Sequence, residues 1–359
     1  LPEKSDDVYV TDGDDLQLAI FRCNENGMVH VAAGEYAGPV SITTKGIKVI
    51  GAGPGKSIIR GVDTGADTDL PSTYAVQLAG TGAVLSGFTL TGAARGGGVL
   101  LGMSDYAKRC VVSDCTLTGN KWGVRYHANG RNVGWPLEPA LASNKSAYHR
   151  LTRCRCVGNS SHGINITGYG YCGLIADNCL SAKNGGNGVY AHEGSGSGFW
   201  VYDDFYYCTF ADNAGVGLQS PDGDTAEIRC YNSIVTGNAT GLRHKSYGSI
   251  EMKYSVLAGN AVEKEAGGSF SFDHCEQEVA PTFETREGSH AYWPAVGSSA
   301  VGVPRALIPH NPLNPTAFED PVAEPLTDLA GNPRKWNKAA KRVAGCFAFP
   351  RNGLLLMVR

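Results

Sequence analysis

One short motif recurs six times and dictates what this chain can fold into. CTLTGNKWGV at Cys115, CRCVGNSSHGI at Cys154, CLSAKNGGNGV at Cys179, CTFADNAGVGL at Cys208, SIVTGNATGL at Ser233 and SVLAGN at Ser255 share the core small-x-apolar-x-x-Asn, usually followed by Gly and an aliphatic residue. The asparagines, Asn120, Asn159, Asn184, Asn213, Asn238 and Asn260, are separated by 39, 25, 29, 25 and 22 residues. A period in the twenties is the mark of a solenoid, in which each repeat buries its apolar face only against its neighbours. Each unit reads as a short alternating strand, a turn at Asn and a second short strand after Gly, which is a β coil and not a helix-turn-helix. A leucine-rich solenoid would need a leucine framework that is absent.

The repeat predicts two internal columns. Asn tolerates the left-handed backbone of a tight bend, and Asn stacked on Asn can pass amide hydrogen bonds from coil to coil, so the Asn column is expected to be structural. Cys115, Cys154, Cys179, Cys208, Ser233, Ser255 and Cys275 share one repeat position and are expected to stack as buried small side chains. The eleven cysteines contain no C-x-x-C pair, so neither a complete disulfide framework nor a common zinc site is signalled. Glycine is 48 of 359 residues and only 18% of residues are charged, which leaves little amphipathic helix. A net charge of −3 gives no basic footprint and argues against a nucleic-acid partner. No apolar run reaches 18 residues, so no membrane-spanning helix is expected. The first residues, LPEKSDDVYV, lack a charged and apolar leader, and the chain reads as a mature secreted, periplasmic or cell-surface bacterial protein.

Upstream, DDLQLAIFRC (Asp14 to Cys23) is the one amphipathic helical pattern and is expected to cap the first coil within a segment of about 8–30. After it come the Gly-x-Tyr turn at Gly34 to Tyr36, the GIKVIGAG strand and an Ile-Ile-Arg-Gly strand end. Together with the Asn-turn coils these resemble the pectate-lyase-type superfamily of right-handed parallel β-helices, over roughly residues 8 to 280. The expected fold is therefore all-β: a right-handed parallel β-helix over 1–280 with an N-terminal capping helix and an irregular Pro-rich tail over 281–359. Within the tail, DLAGNPR (Asp328 to Arg334) is similar to a C-terminal signature of secreted bacterial β-helix proteins, and that likeness implies closure of the last coil. The superfamily includes lyases, hydrolases, esterases and phage adhesins, so the likeness implies a carbohydrate partner without naming a reaction.

Alternation along the strand after the turn assigns an inward set, Val124, Ile164, Val189, Leu218 and Leu242, and two outward columns. The first holds Arg125, Asn165, Tyr190, Gln219 and Arg243. The second holds His127, Thr167, His192, Pro221 and Lys245, with Glu193, Asp222 and Asp224 just beyond. Coils stack at roughly 4.8 Å, so His127 and Lys245, four coils apart, lie about 19 Å from each other. They cannot share one reaction centre, but a groove for several sugars would span them. An insert at 128–148 would wall the groove, with Trp135 available to stack on a sugar ring.

These residue types suit β-elimination on a uronate glycan, which needs a neutralised carboxylate, a base for the C5 proton and an acid for the leaving oxygen. Arg243, Lys245, Arg125 or Asn165 would bind the carboxylate, His192 would be the base, and Tyr190 the acid or base. His127, Gln219, Trp135 and Glu193 would bind neighbouring sugars. A glycoside hydrolase is the second reading, using a pair among Glu193, Asp203, Asp204, Asp222 and Asp224. VYDDFYYC (Val201 to Cys208), SHG (Ser161 to Gly163) and RHK (Arg243 to Lys245) loosely resemble polygalacturonase elements, but in a different order, and alternation points Asp203 inward. A glycan-binding adhesin without catalysis is the third. Ca²⁺ is the one cofactor candidate, held by Glu193, Asp222 and Asp224.

Overall fold

A computed structural model describes residues 3–63, 65, 71–102, 109–129, 148–169, 172–193, 200–220, 225–244, 248–265, 269–286, 290–295, 298–303, 328–330 and 342–343. Among these residues the strands form three long sheets of 11, 9 and 9 strands in which every pairing is parallel. The chain visits the sheets in strict rotation. Val111–Ser113 lies in the first sheet, Thr116–Thr118 in the second and Trp122–Asn129 in the third, and His149–Thr152 then starts the next turn of the first. A parallel pairing needs a crossover, and here the crossover is the rest of the coil.

The Asn column is an amide ladder. Each backbone N–H donates to the side-chain oxygen of the Asn one coil on: Asn159 to Asn184 at 3.1 Å, Asn184 to Asn213 at 3.2 Å and Asn213 to Asn238 at 3.1 Å. The side-chain amides follow at 2.9–3.0 Å. The left-handed residue of the turn is not Asn, contrary to expectation. It is the residue before it, Gly119, Gly158, Lys183, Asp212, Gly237 and Gly259, with φ between 53° and 84°. Asn instead turns its side chain inward, where the ladder satisfies it.

That ladder also dictates the glycine that follows. A Cβ on Gly163 would come within 2.8 Å of Asn184 Nδ2, and one on Gly188 within 3.0 Å of Asn213 Nδ2. Glycine and the next aliphatic residue therefore both face inward. The predicted inward set, Val124, Ile164, Val189, Leu218 and Leu242, is fully buried.

The cysteine column is present as expected: Cys115, Cys154, Cys179 and Cys208 are buried free thiols, and Ser233 and Ser255 continue it. Cys208 N–H donates to Ser233 Oγ and Ser233 N–H to Ser255 Oγ, both at 3.0 Å. Desolvation holds the thiols of Cys115, Cys154 and Cys179 well above the ordinary range, so they are protonated and inert.

The helix of the N-terminal segment spans Leu16–Arg22, with Asp15 as its N-cap accepting from Leu18 N–H at 3.0 Å. It buries Leu16, Ala19 and Ile20 in the core and is preceded by a strand, Ser5–Val10, that adds to the edge of the first sheet. In the tail, Phe283–Arg286 and His290–Pro294 form an antiparallel hairpin where irregular chain was expected. Its Tyr292 and Trp293, with Leu329, pack on Leu180, Ala182 and Ala211 of the second sheet. Those strands are buried on both faces, and the tail covers the outer one. The Asp328–Ala330 part of the DLAGNPR segment thus sits on the flank of the solenoid at its middle coils, not over its last coil.

Candidate functional site

The third sheet carries the predicted columns in register. Arg125 pairs with Asn165, Asn165 with Tyr190, Tyr190 with Gln219 and Gln219 with Arg243. His127 pairs with Thr167 and Thr167 with His192. The strand holding Tyr190 and His192, Val189–Glu193, also places Glu193 opposite Gly168. The side chain of Glu193 lies outside the described residues, as do Trp135, Pro221, Asp222, Asp224 and Lys245. The calcium candidate therefore rests on the sequence alone.

The structure adds a third outward column that alternation missed. Because Gly and the following aliphatic residue both point inward, the residue before the Gly faces out; these are Trp122, His162 and Asn187. Their signal in the sequence was the Gly itself, in the segments WGV, HGI and NGV.

This column meets the first at Tyr190. The His162 and Tyr190 rings stack with centroids 4.5 Å apart and planes 6° apart, and Tyr190 lies 5.8 Å from the His192 ring. His162 Nδ1 accepts from Asn187 N–H at 2.9 Å. Asn187 is itself fixed, with Oδ1 accepting from Val216 N–H at 3.0 Å and Nδ2 donating to Gln219 Oε1 at 2.9 Å. Gln219 is accordingly buried and part of the support. Burial, aided by the charges of Arg125 and Lys121, pushes the His162 pKa down to about 4. At neutral pH the ring is uncharged, and because Nδ1 accepts, the proton sits on Nε2.

Arg125 is buried, with its guanidinium 4.7 Å from the Trp122 ring, and the Lys121 ammonium lies 4.5 Å from the same ring. Between these cations and Tyr190 sits Asn165, 3% exposed, whose Oδ1 has no hydrogen-bond partner among the described residues; the same holds for Thr167 Oγ1 on that strand. Buried polar atoms without partners are rare in folded proteins.

Solved structures share this architecture. A pectate lyase matches with a TM-score of 0.55 and 11% identity over 96% of this chain and 97% of that one. The fold is the right-handed parallel β-helix. A pectin methylesterase from carrot matches at TM-score 0.51 and 12% identity, covering 74% of this chain and 87% of its own. Tailspike protein 2 of the Escherichia coli O157:H7 bacteriophage CAB120 matches at 0.50 and 12%, covering 84% of this chain and 41% of the tailspike. No family model and no curated protein sequence matches the chain. Identities this low carry the fold and leave the reaction to the residues of the β-helix itself.

Two of the expected acids do not belong to the third-sheet face. Asp203 and Asp204 lie on Trp200–Tyr206 of the first sheet, and neighbouring strand residues face opposite ways. Asp203 points into the core, is fully buried and accepts from Leu174 N–H at 3.0 Å, as alternation had indicated. Asp204 is paired with Arg229 at 2.7 Å and accepts from the Tyr206 hydroxyl at 3.3 Å. They cannot act as a carboxyl pair on one sugar. Arg243, at the far end of its column, is ion-paired with Glu265 at 2.5 Å, so its charge is already compensated.

Asp203 has a measurable consequence. Desolvation raises its pKa from 3.8 to about 8, so the folded state keeps a proton that the unfolded state releases. The associated stability is complete below pH 4 and is lost as pH rises toward 8, at up to about 1.4 kcal/mol per pH unit. Thermal melts from pH 6.5 to 8 should therefore show a falling midpoint that Asp203→Asn flattens. Equal slopes for the two proteins would contradict the assignment.

Among the described residues no group of three His, Cys, Asp or Glu side chains is placed to hold a metal, and no helix is long and apolar enough to cross a membrane.

Proposed function

We propose that this β-helix is a secreted polysaccharide lyase that cleaves a uronate-containing glycan by β-elimination in the groove of its third sheet. The observation that carries the proposal is Tyr190, held between His162 and His192 above the partnerless Asn165 Oδ1 and Thr167 Oγ1. His192 takes the C5 proton of the uronate and Tyr190 protonates the departing O4 as the C4–O4 bond breaks and the C4–C5 double bond forms. Both groups rise from one strand on the same side of the groove, which suits a syn elimination. Arg125, two coils from Tyr190 on the same outward column, offers the positive charge that stabilises the enolate-like state.

The test is incubation with a panel of acidic and neutral glycans, following the near-ultraviolet absorbance of unsaturated uronate and the appearance of reducing ends together. Both signals on an acidic glycan are expected. Reducing ends without the absorbance would replace the lyase by a hydrolase, and retained binding without either signal would leave an adhesin.

A further inference from the structure

The corner where Lys121, Trp122, Arg125 and His162 meet has the chemistry of a binding site beyond the charge that Arg125 lends to the reaction. Two cations lie over one indole ring, and both act electrostatically on His162. The His162 ring is fixed from two sides, by Asn187 N–H on Nδ1 and by the face of Tyr190. Its Nε2 has no hydrogen-bond partner among the described residues, and the side chain is only half-buried. An N–H aimed away from its own support, beside a guanidinium and an ammonium, is a donor set for an anion.

We propose that Lys121, Arg125 and His162 form a carboxylate subsite, in which His162 acts as an uncharged hydrogen-bond donor through Nε2–H. The ligand class is a sugar carboxylate, as in a uronate residue, and this placement rests on the uronate reading above. The ring of Tyr190 links the subsite to the reaction centre: a uronate whose carboxylate is held at His162 has its C5 next to the Tyr190 and His192 pair. His162 is not a base here, because with Nδ1 occupied and Nε2 protonated it has no lone pair to offer. The charge comes from Arg125 and Lys121, and the direction from the imidazole.

Nitrogen-15 histidine labelling of the whole protein tests this without turnover. At pH 7 His162 is expected as the Nε2–H tautomer; a charged ring or an Nδ1–H tautomer would overturn the proposal. Glucuronate at millimolar concentration is expected to shift the His162 Nε2 signal saturably where glucose does not, and Arg125→Gln should abolish the response. No saturable response to glucuronate also overturns it. His162→Phe keeps the stack on Tyr190 but has no donor and should weaken glucuronate binding by about tenfold or more. His162→Gln, which can place a neutral N–H near the same point, should lose less. Equal binding by wild type and His162→Phe would mean the ring only packs. A saturable glucuronate response in a protein that yields no unsaturated product on any acidic glycan would sink the lyase and leave the subsite standing.

Discussion

Asn213→Ala is expected to lower stability by about 2–5 kcal/mol, because it cuts the amide ladder in the middle of the solenoid. Asn213 Oδ1 accepts from both Asn184 N–H and Asn184 Nδ2, and its own amide donates to Ser181 O at 3.1 Å and to Asn238 Oδ1 at 2.9 Å. Truncation strands the Asn184 N–H in a site closed to water, at roughly 1–3 kcal/mol, and removes the amide's own two donations, at about 1 kcal/mol each. The neighbouring position gives the contrast. Lys183 holds φ 55° immediately before the ladder residue Asn184, where four other coils use glycine, so Lys183→Gly should be neutral or stabilising by up to about 1 kcal/mol. Urea unfolding followed by circular dichroism measures both. An Asn213→Ala midpoint equal to that of the wild type would show that the ladder is ornamental, with stability residing in the aliphatic column alone.

Tyr190→Phe is expected to cost at least about a hundredfold in turnover on the glycan that the protein cleaves, with no loss of fold. General acid–base groups typically contribute about 10²–10⁴-fold, and phenylalanine removes the proton while keeping the ring that stacks on His162. His192→Ala is expected to abolish turnover outright and leave the melting temperature within a few degrees, since His192 lies on the outer face of the sheet and not in the core. Activity close to wild type in either variant would move the reaction centre off this coil. The two results together separate roles: a Tyr190→Phe enzyme that regains rate with substrates carrying a better leaving group identifies Tyr190 as the acid, because only that step then needs no proton.

Much of this site was legible in the chain, because a parallel β coil repeats its inward and outward positions with every turn. Once the Asn residues are aligned, Arg125, Asn165, Tyr190, Gln219 and Arg243 fall into one column, and the observed register agrees. Asp203 was readable as inward for the same reason. His162 was not. A period of two places it on the wrong face, and the close approach of Ser181 Oγ and the Asn184 amide to Gly163 explains why two consecutive residues turn inward. The role of Gln219 changed likewise, from a sugar ligand to a support for Asn187, because its partner comes from the column that alternation had hidden.

The sequence by itself determined the solenoid: a β coil closed at Asn, an aliphatic and thiol interior, and an outer face rich in Arg, His and Tyr. Those are local properties that neighbouring coils repeat, and so one chain spells them out. Tertiary structure alone decided which members of that face meet. The His162 stack on Tyr190, its tautomer set by Asn187, the compensation of Arg243 by Glu265 and the burial of Asp203 all depend on contacts between coils 22 to 29 residues apart. Side-chain reach and dielectric are fixed by packing, and no spacing in the sequence encodes them.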